Sequence, residues 1–310
     1  MYVLSDSTSK LMRVVIAIGG NALLKRGQKL EARYQLQNIQ QAIKGIASIA
    51  KQHEVVLCHG NGPQIGLLAL EADAYQDVAP YPLDILGAET QGMIGYLLQR
   101  ELKNHLPNFE IVTLLNQTRV EPKDPAFERP TKFIGPVYTK QQVEKLQKSQ
   151  TWCFHQDGAD YRRVVPSPEP HEIIEQHTIA RLLSPSTLVI CGGGGGIPVY
   201  RHNGRLCGIE AVVDKDKTAA LLAERLHADA LMILTDVDAV FEHWGTEQAR
   251  ALRQVSVAQL SEMVFPPGSM GPKIDAACRF VSATKQPAMI GHLADAEALL
   301  MRQAGTHIEG

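Results

Sequence analysis

Short apolar runs rich in β-branched residues recur along the chain at 13–18 (RVVIAI), 54–58 (EVVLC), 110–115 (EIVTLL), 187–191 (TLVIC) and 230–235 (ALMILT). Among and beyond them the apolar spacing turns helical, at about 33–52, 84–105, 171–183, 215–227 and 272–286. In the stretch at 215–227, Ala219, Leu222, Ala223 and Leu226 fall on one helical stripe. Strands that are apolar throughout are buried on both faces, and strand–helix alternation closes into a mainly parallel sheet covered by helices. The expected fold class is therefore α/β. Between about 117 and 165 the rhythm breaks into prolines and charges. That is too long for a plain loop, and it reads as a small subdomain inserted into the sheet. Residues 1–11 read as a frayed tail, and 12–310 as one α/β domain carrying the insert.

Composition narrows the function classes. With 31 basic and 33 acidic side chains the net charge is −2, and aromatics make up 5% of the 310 residues. An electrostatic nucleic-acid binder would show a basic excess and stacking platforms, so no nucleic-acid partner is expected. No apolar stretch reaches the roughly 20 residues of a membrane span, and the first residues lack the apolar core of a secretory signal. The five cysteines (Cys58, Cys153, Cys191, Cys207, Cys278) contain no CxxC pair. They form neither a disulfide framework nor a zinc site, which points to a reducing cytoplasm. The histidines show no HExxH spacing, so no transition-metal site is expected.

Four of the strands run into unusual loops: Gly19-Gly20-Asn21, His59-Gly60-Asn61-Gly62-Pro63, the five glycines at 192–196, and Asp236-Val237-Asp238. In open α/β sheets ligands sit outside the carboxyl ends of the strands, where glycines let backbone N–H groups approach phosphate oxygens. Each loop alone could be a structural turn; four at one sheet edge favour a phosphate-handling site. Within the glycine run, Gly193 and Gly194 are the candidates. There is no GxxxxGK[ST], no GxGxxG after the first strand and no protein-kinase signature set, so phosphoryl transfer would need another scaffold.

Lysines supply the second constellation. Asp214 is placed to cap a helix that opens with Lys215, Asp216 and Lys217. Lysine at the positive end of a helix is locally unfavourable, unless an anion lies nearby. Lys273, just after Pro272, faces the same kind of end. Lys132 in the insert is a third candidate, with surface charge as the alternative. Tyr161-Arg162-Arg163 either clamps an anion or pins the insert. His59 reads as a hydrogen-bonded loop residue in preference to a base.

The ordered set IGGNAL (18–23), HGNGPQIG (59–66), PTKFIGP (130–136), YRRVVPSPEP (161–170), CGGGGGIPV (191–199), VVDKDKTA (212–219), LTDVDAVF (234–241) and GSMGPK (268–273) resembles the carbamate kinases of the amino-acid kinase fold group. The resemblance runs from about residue 12 to the end. It implies a three-layer αβα sandwich with a protruding subdomain, a homodimer, and Mg2+-dependent reversible transfer between ATP and carbamate, giving ADP and carbamoyl phosphate. Carried over by position, Gly19, Gly20, Asn21, Gly60 and Asn61 would shape the carbamate and phosphate pocket. Lys215 and Lys273 would flank the phosphoryl group, Asp216 would orient them, and Lys132 would reach in from the insert. Thr235, Asp236 and Met270 would lie on the nucleotide side, with segment 242–245 least faithful to the pattern. Relatives such as acetylglutamate kinase usually carry a lysine where this chain has Ala17, and Lys215 is thought to supply that charge. Mg2+ would be held mainly through nucleotide phosphates and water. The resemblance suggests service in arginine fermentation or purine breakdown. Two alternatives remain open: a kinase of another small carboxylate in the same fold group, and a non-catalytic nucleotide or carbamoyl-phosphate sensor.

Overall fold

Val15 and Ala17 point to one side of the strand Arg13–Ile18, and Val14, Ile16 and Ile18 to the other; both sets are fully buried. This two-sided burial organises the molecule. The computed structural model describes residues 10–25, 27–148, 150–266 and 269–310, with the backbone alone at 21 and 22. Most of the expected tail, residues 1–9, lies outside the described residues.

Eight strands form the main sheet, in the order Gln254–Ser256, Thr306–Glu309, Ala288–His292, Ala230–Thr235, Arg13–Ile18, Glu54–His59, Thr187–Ile190, Glu110–Thr113. Six run parallel; the two at the Gln254 edge run the opposite way. On one face, Ala219, Leu222 and Ala223 of the helix Lys215–Arg225 pack with Ala277, Phe280 and Val281 of Gly271–Thr284. On the other, Ile39, Ile43 and Ile46 of Ala32–Ala50 meet Ile94, Leu98 and Leu102 of Leu83–His105. Burying each of the leucine, isoleucine, valine and phenylalanine side chains among these contributes about 1.5–3 kcal/mol, so both faces of the sheet are firmly clamped.

Several boundaries differ from the sequence reading for physical reasons. The strand expected at 110–115 ends at Thr113, and the helix expected at 171–183 is a short strand, Glu172–Ile173, followed by the helix Gln176–Leu182. A helix at Gly62–Ala74 was not expected at all. Its residues 65–70 (IGLLAL) are apolar all round, so no polar face marks the period, and its opening Gly-Pro reads as a loop.

The region at 117–165 contributes to two small sheets. Gln117–Arg119 joins Glu172–Ile173, Ile197–His202 and Arg205–Gly208 in a four-stranded sheet, while Lys132–Tyr138, Asp160–Val165 and Cys153–Asp157 form a three-stranded one. The latter is completed by the helix Lys140–Leu146, opened by a Thr139/Gln142 capping box. It rests on the helix Gly62–Ala74 at a backbone-to-backbone contact. A Cβ on Gly66 would lie 2.0 Å from Gly135 Cα, so this seat for the Lys132 strand accepts only glycine at position 66.

Candidate active site

The four strands that end in the unusual loops are consecutive in the sheet: Ala230–Thr235, Arg13–Ile18, Glu54–His59, Thr187–Ile190. Their loops are stitched edge to edge, with Gly19 N donating to Leu234 O at 3.0 Å, Gly60 N to Ile18 O at 3.1 Å and Cys191 N to Leu57 O at 3.0 Å. They open into a cleft of about 970 Å³ that brings together Gly19, Gly20, Gly60, Asn61, Gly194, Lys132, Lys215, Asp216, Lys273, Thr235, Asp236 and Met270. Gly193 is not on the wall. It sits behind Gly194 with its carbonyl accepting from Gln91 Nε2 at 3.0 Å. The glycine run is further fixed by Asn116 Oδ1, which accepts from Gly192 N at 2.6 Å, and by Thr118 and Thr218, whose hydroxyls both donate to Gly195 O at 2.8 Å. The side chain of Asn21, position 267 and the first residue of the GSMGPK motif, 268, lie outside the described residues.

Charge at the cleft rim is arranged around two buried carboxylates. Asp214 caps the helix Lys215–Arg225, its Oδ1 accepting from Asp216 N at 2.9 Å and Lys217 N at 3.3 Å, while its Oδ2 accepts from Lys132 Nζ. Asp216 takes Lys215 Nζ on Oδ1 and Lys273 Nζ on Oδ2, the latter at 3.0 Å. Burial works to raise the Asp216 carboxyl, but the ammoniums of Lys215 and Lys273 outweigh it and hold the group below its usual range. Asp214 is likewise held down, against burial, by Lys132 and Lys215. Both carboxylates therefore stay ionised.

The two lysines on Asp216 are not equivalent. Lys215 is enclosed, and burial pulls its pKa down against the attraction of Asp216. At Lys273 the balance reverses: burial lowers it, but Asp216 and Asp214 together raise it. Lys217, the other lysine of the helix opening, pairs with Glu169 instead. In the insert, Arg162 also reaches the cleft wall; it stacks over Phe133, with its guanidinium 5.5 Å from the ring, and donates to Gly135 O at 3.1 Å. From the local sequence Arg162 reads equally as an anion clamp or a pin for the insert, and Asp214 reads only as a cap. No local pattern signals that its second oxygen meets a lysine 82 residues away.

His59 is fully buried at the root of its loop, its Nδ1 3.0 Å from Gly60 O. Burial, opposed by that carbonyl and reinforced by Lys215, lowers its pKa from 6.5 to about 4. It is neutral at pH 7 and does not serve as a proton carrier there. Because the folded value lies below the unfolded one, the stability it confers is complete above pH 6.5 and is lost as pH falls towards 4. The shift amounts to about 2 kcal/mol lost between pH 7.5 and pH 5. Denaturant melts at those two pH values should show His59→Gln losing less stability on acidification than the wild type; equal losses would contradict this burial account.

The cleft also has an apolar part to its lining, with Phe241, Trp244, Met263, Phe265 and Met270 on its wall. The Phe241 and Trp244 rings lie 5.0 Å apart. A lining that combines lysines with an aromatic pair suits a molecule with an anionic tail and a flat apolar head. Thr235 and Asp236 also line the cleft, and the Thr235 hydroxyl donates to Asp236 Oδ1 at 3.0 Å.

Residues 12–292 match the model of the amino acid kinase family, and the chain belongs to that family. A carbamate kinase of Rhizobium meliloti is 52% identical over 302 residues, spanning 96% of this chain and 93% of its own. One from Haemophilus influenzae is also 52% identical, spanning 96% of each chain. The Giardia lamblia carbamate kinase solved with AMP-PNP superposes with a TM-score of 0.87 at 38% identity, covering 97% of this chain and 99% of its own. Within the family, the chain falls among the carbamate kinases.

Proposed function

We propose that this chain catalyses reversible phosphoryl transfer between ATP and carbamate, yielding ADP and carbamoyl phosphate. The observation that carries the reading is the convergence of Lys215 and Lys273 on Asp216 at the glycine-lined rim. Carbamate is an anion at neutral pH, so its attacking oxygen needs no base. The task is to hold two like-charged reactants in line and to neutralise charge on the transferring group. Lys215 and Lys273 supply that neutralisation, and Asp216 fixes their ammoniums so that little reorganisation accompanies transfer. Lys132, anchored on Asp214, brings a third cation from the insert. Gly19, Gly20, Gly60 and Gly194 offer backbone to the phosphate and carbamate, while Thr235, Asp236 and Met270 take the nucleotide side, with Phe241 and Trp244 receiving the adenine.

Mg2+ is part of this reading. Among the described residues no three His, Cys, Asp or Glu side chains gather into a cage, and Asp214 and Asp216 are committed to lysines. That donor set fits an ion carried on nucleotide phosphates and water, where it supplies further charge neutralisation. A homodimer is likewise proposed, supported by Ile85, Met93 and Tyr96 standing exposed on the Leu83–His105 helix. Among the described residues no helix is long and apolar enough to cross a membrane, and all five cysteines are free, which suits a reducing cytoplasm. The same reading places the reaction in arginine metabolism or purine breakdown.

An assay of ATP formation from ADP and carbamoyl phosphate, coupled to hexokinase, tests the function directly. Robust ATP formation is expected. A kinase of another carboxylate would give only weak signal with this donor, and a sensor without catalysis none.

A further inference from the structure

Asn61 occupies the N-cap of the helix Gly62–Ala74, where an asparagine oxygen ordinarily accepts a backbone N–H of the first turn. Here the side chain makes no such bond. Its Nδ2 instead donates to Thr90 Oγ1 at 2.9 Å, and Thr90 donates its own hydroxyl proton to Gly87 O at 2.7 Å. Thr90 is 0% exposed and Asn61 4%. With its single proton committed, Thr90 can only accept, so it takes the nitrogen end of the amide and turns the oxygen away. Asn61 lies on the cleft wall, and among the described residues no donor reaches its Oδ1. The bare face of Gly194 makes room for this arrangement. Its φ is +60°, and a Cβ there would lie 2.1 Å from Asn61 Nδ2. The helix thus forgoes a side-chain cap that stability alone would have kept, and an acceptor is left open beside Gly194 on the wall of the cleft that Gly60 and Lys215 also line.

We propose that Thr90 is a positioning residue for acceptor specificity. It holds the Asn61 amide so that Oδ1 accepts an N–H from the amino group of carbamate, and from the same group of carbamoyl phosphate. The proposal rests on the carbamate kinase reading above. Carbamate and acetate share a carboxylate and differ in carrying an amino or a methyl group, so rim lysines alone discriminate poorly between them. An enclosed acceptor does discriminate, because a methyl group would leave it desolvated and unpaired.

The test compares carbamoyl phosphate with acetyl phosphate as donors to ADP, in the wild type, Thr90→Val and Thr90→Ser, with a melting temperature for each. Valine keeps the shape and removes the acceptor, freeing the amide to flip; serine restores the hydroxyl. The ratio of kcat/KM for the two donors is expected to fall at least about tenfold in Thr90→Val and to stay within about threefold of wild type in Thr90→Ser. An unchanged ratio in Thr90→Val, an equal loss with both donors, or a serine variant that behaves like valine overturns the proposal. Should Thr90→Val fail to fold, Thr90→Ala reads the same ratio. A wild type that makes no ATP from carbamoyl phosphate defeats the functional reading and this proposal with it. An active wild type with no change of ratio defeats this proposal alone.

Discussion

Lys215→Ala and Lys273→Ala should each lower kcat by about 10²–10³ while the protein stays folded, the loss typical of one donor aimed at transition-state charge. The interaction strengthens as charge builds on the transferring oxygens, so kcat and kcat/KM should fall together and KM should move little. Folding survives because Asp216 loses only one of its two cations in either variant. For Lys215 there is an offset as well. An ammonium that burial already disfavours is removed, which returns part of its desolvation cost. The double variant differs in kind. It strips both partners from a carboxylate whose side chain is only 3% exposed, and breaking a buried pair in that way costs about 3–5 kcal/mol. Steady-state turnover alongside thermal melts separates the two effects. Near-normal turnover in both single variants would remove these lysines from the mechanism.

How far the sequence disclosed this site depends on whether a feature is local. The strands at 13–18 and 230–235 have the bounds expected of them because every residue after the first is buried and the apolar run is unbroken up to the last position. Asp214 was legible as a helix cap, since a cap is a relation between residues two and three apart. What periodicity could not supply was the strand order. Only when Ala230–Thr235, Arg13–Ile18, Glu54–His59 and Thr187–Ile190 are known to be neighbours do their four loops become one cleft. The same holds for the ion pairs, where Lys273 meets Asp216 across 57 residues and Lys132 meets Asp214 across 82. Both contacts follow from how helices and insert dock on the sheet, and nothing in the local sequence of either partner marks them. The glycine run shows a subtler limit. Its composition signalled a special backbone, but not that Gln91, Asn116, Thr118 and Thr218 tie it inward and leave Gly194 at the wall with Gly193 behind it.

Asp216→Asn is expected to have the second large effect, and its signature is a pH profile. An asparagine in this place has one oxygen and one NH₂, so it can satisfy one ammonium and must turn a donor towards the other. One lysine is then held and one is released, lowering kcat by about 10²–10³ through loss of a positioned cation. The sign of the pH effect follows from the charges. The Asp216 carboxylate raises the pKa of both Lys215 and Lys273 in the wild type, against burial that lowers both. Neutralising it leaves burial less opposed, so both lysines lose their protons at lower pH. Transfer needs them protonated, and the alkaline limb of the kcat profile should therefore move to lower pH, with the greater shift traceable to the more enclosed Lys215. A merely structural aspartate would reduce stability without moving that limb. Measuring kcat from pH 6 to pH 10 in the folded variant decides the matter. Unaltered turnover with the limb in place would mean that Asp216 organises neither lysine, and the cleft would need another source for the fixed positive charge.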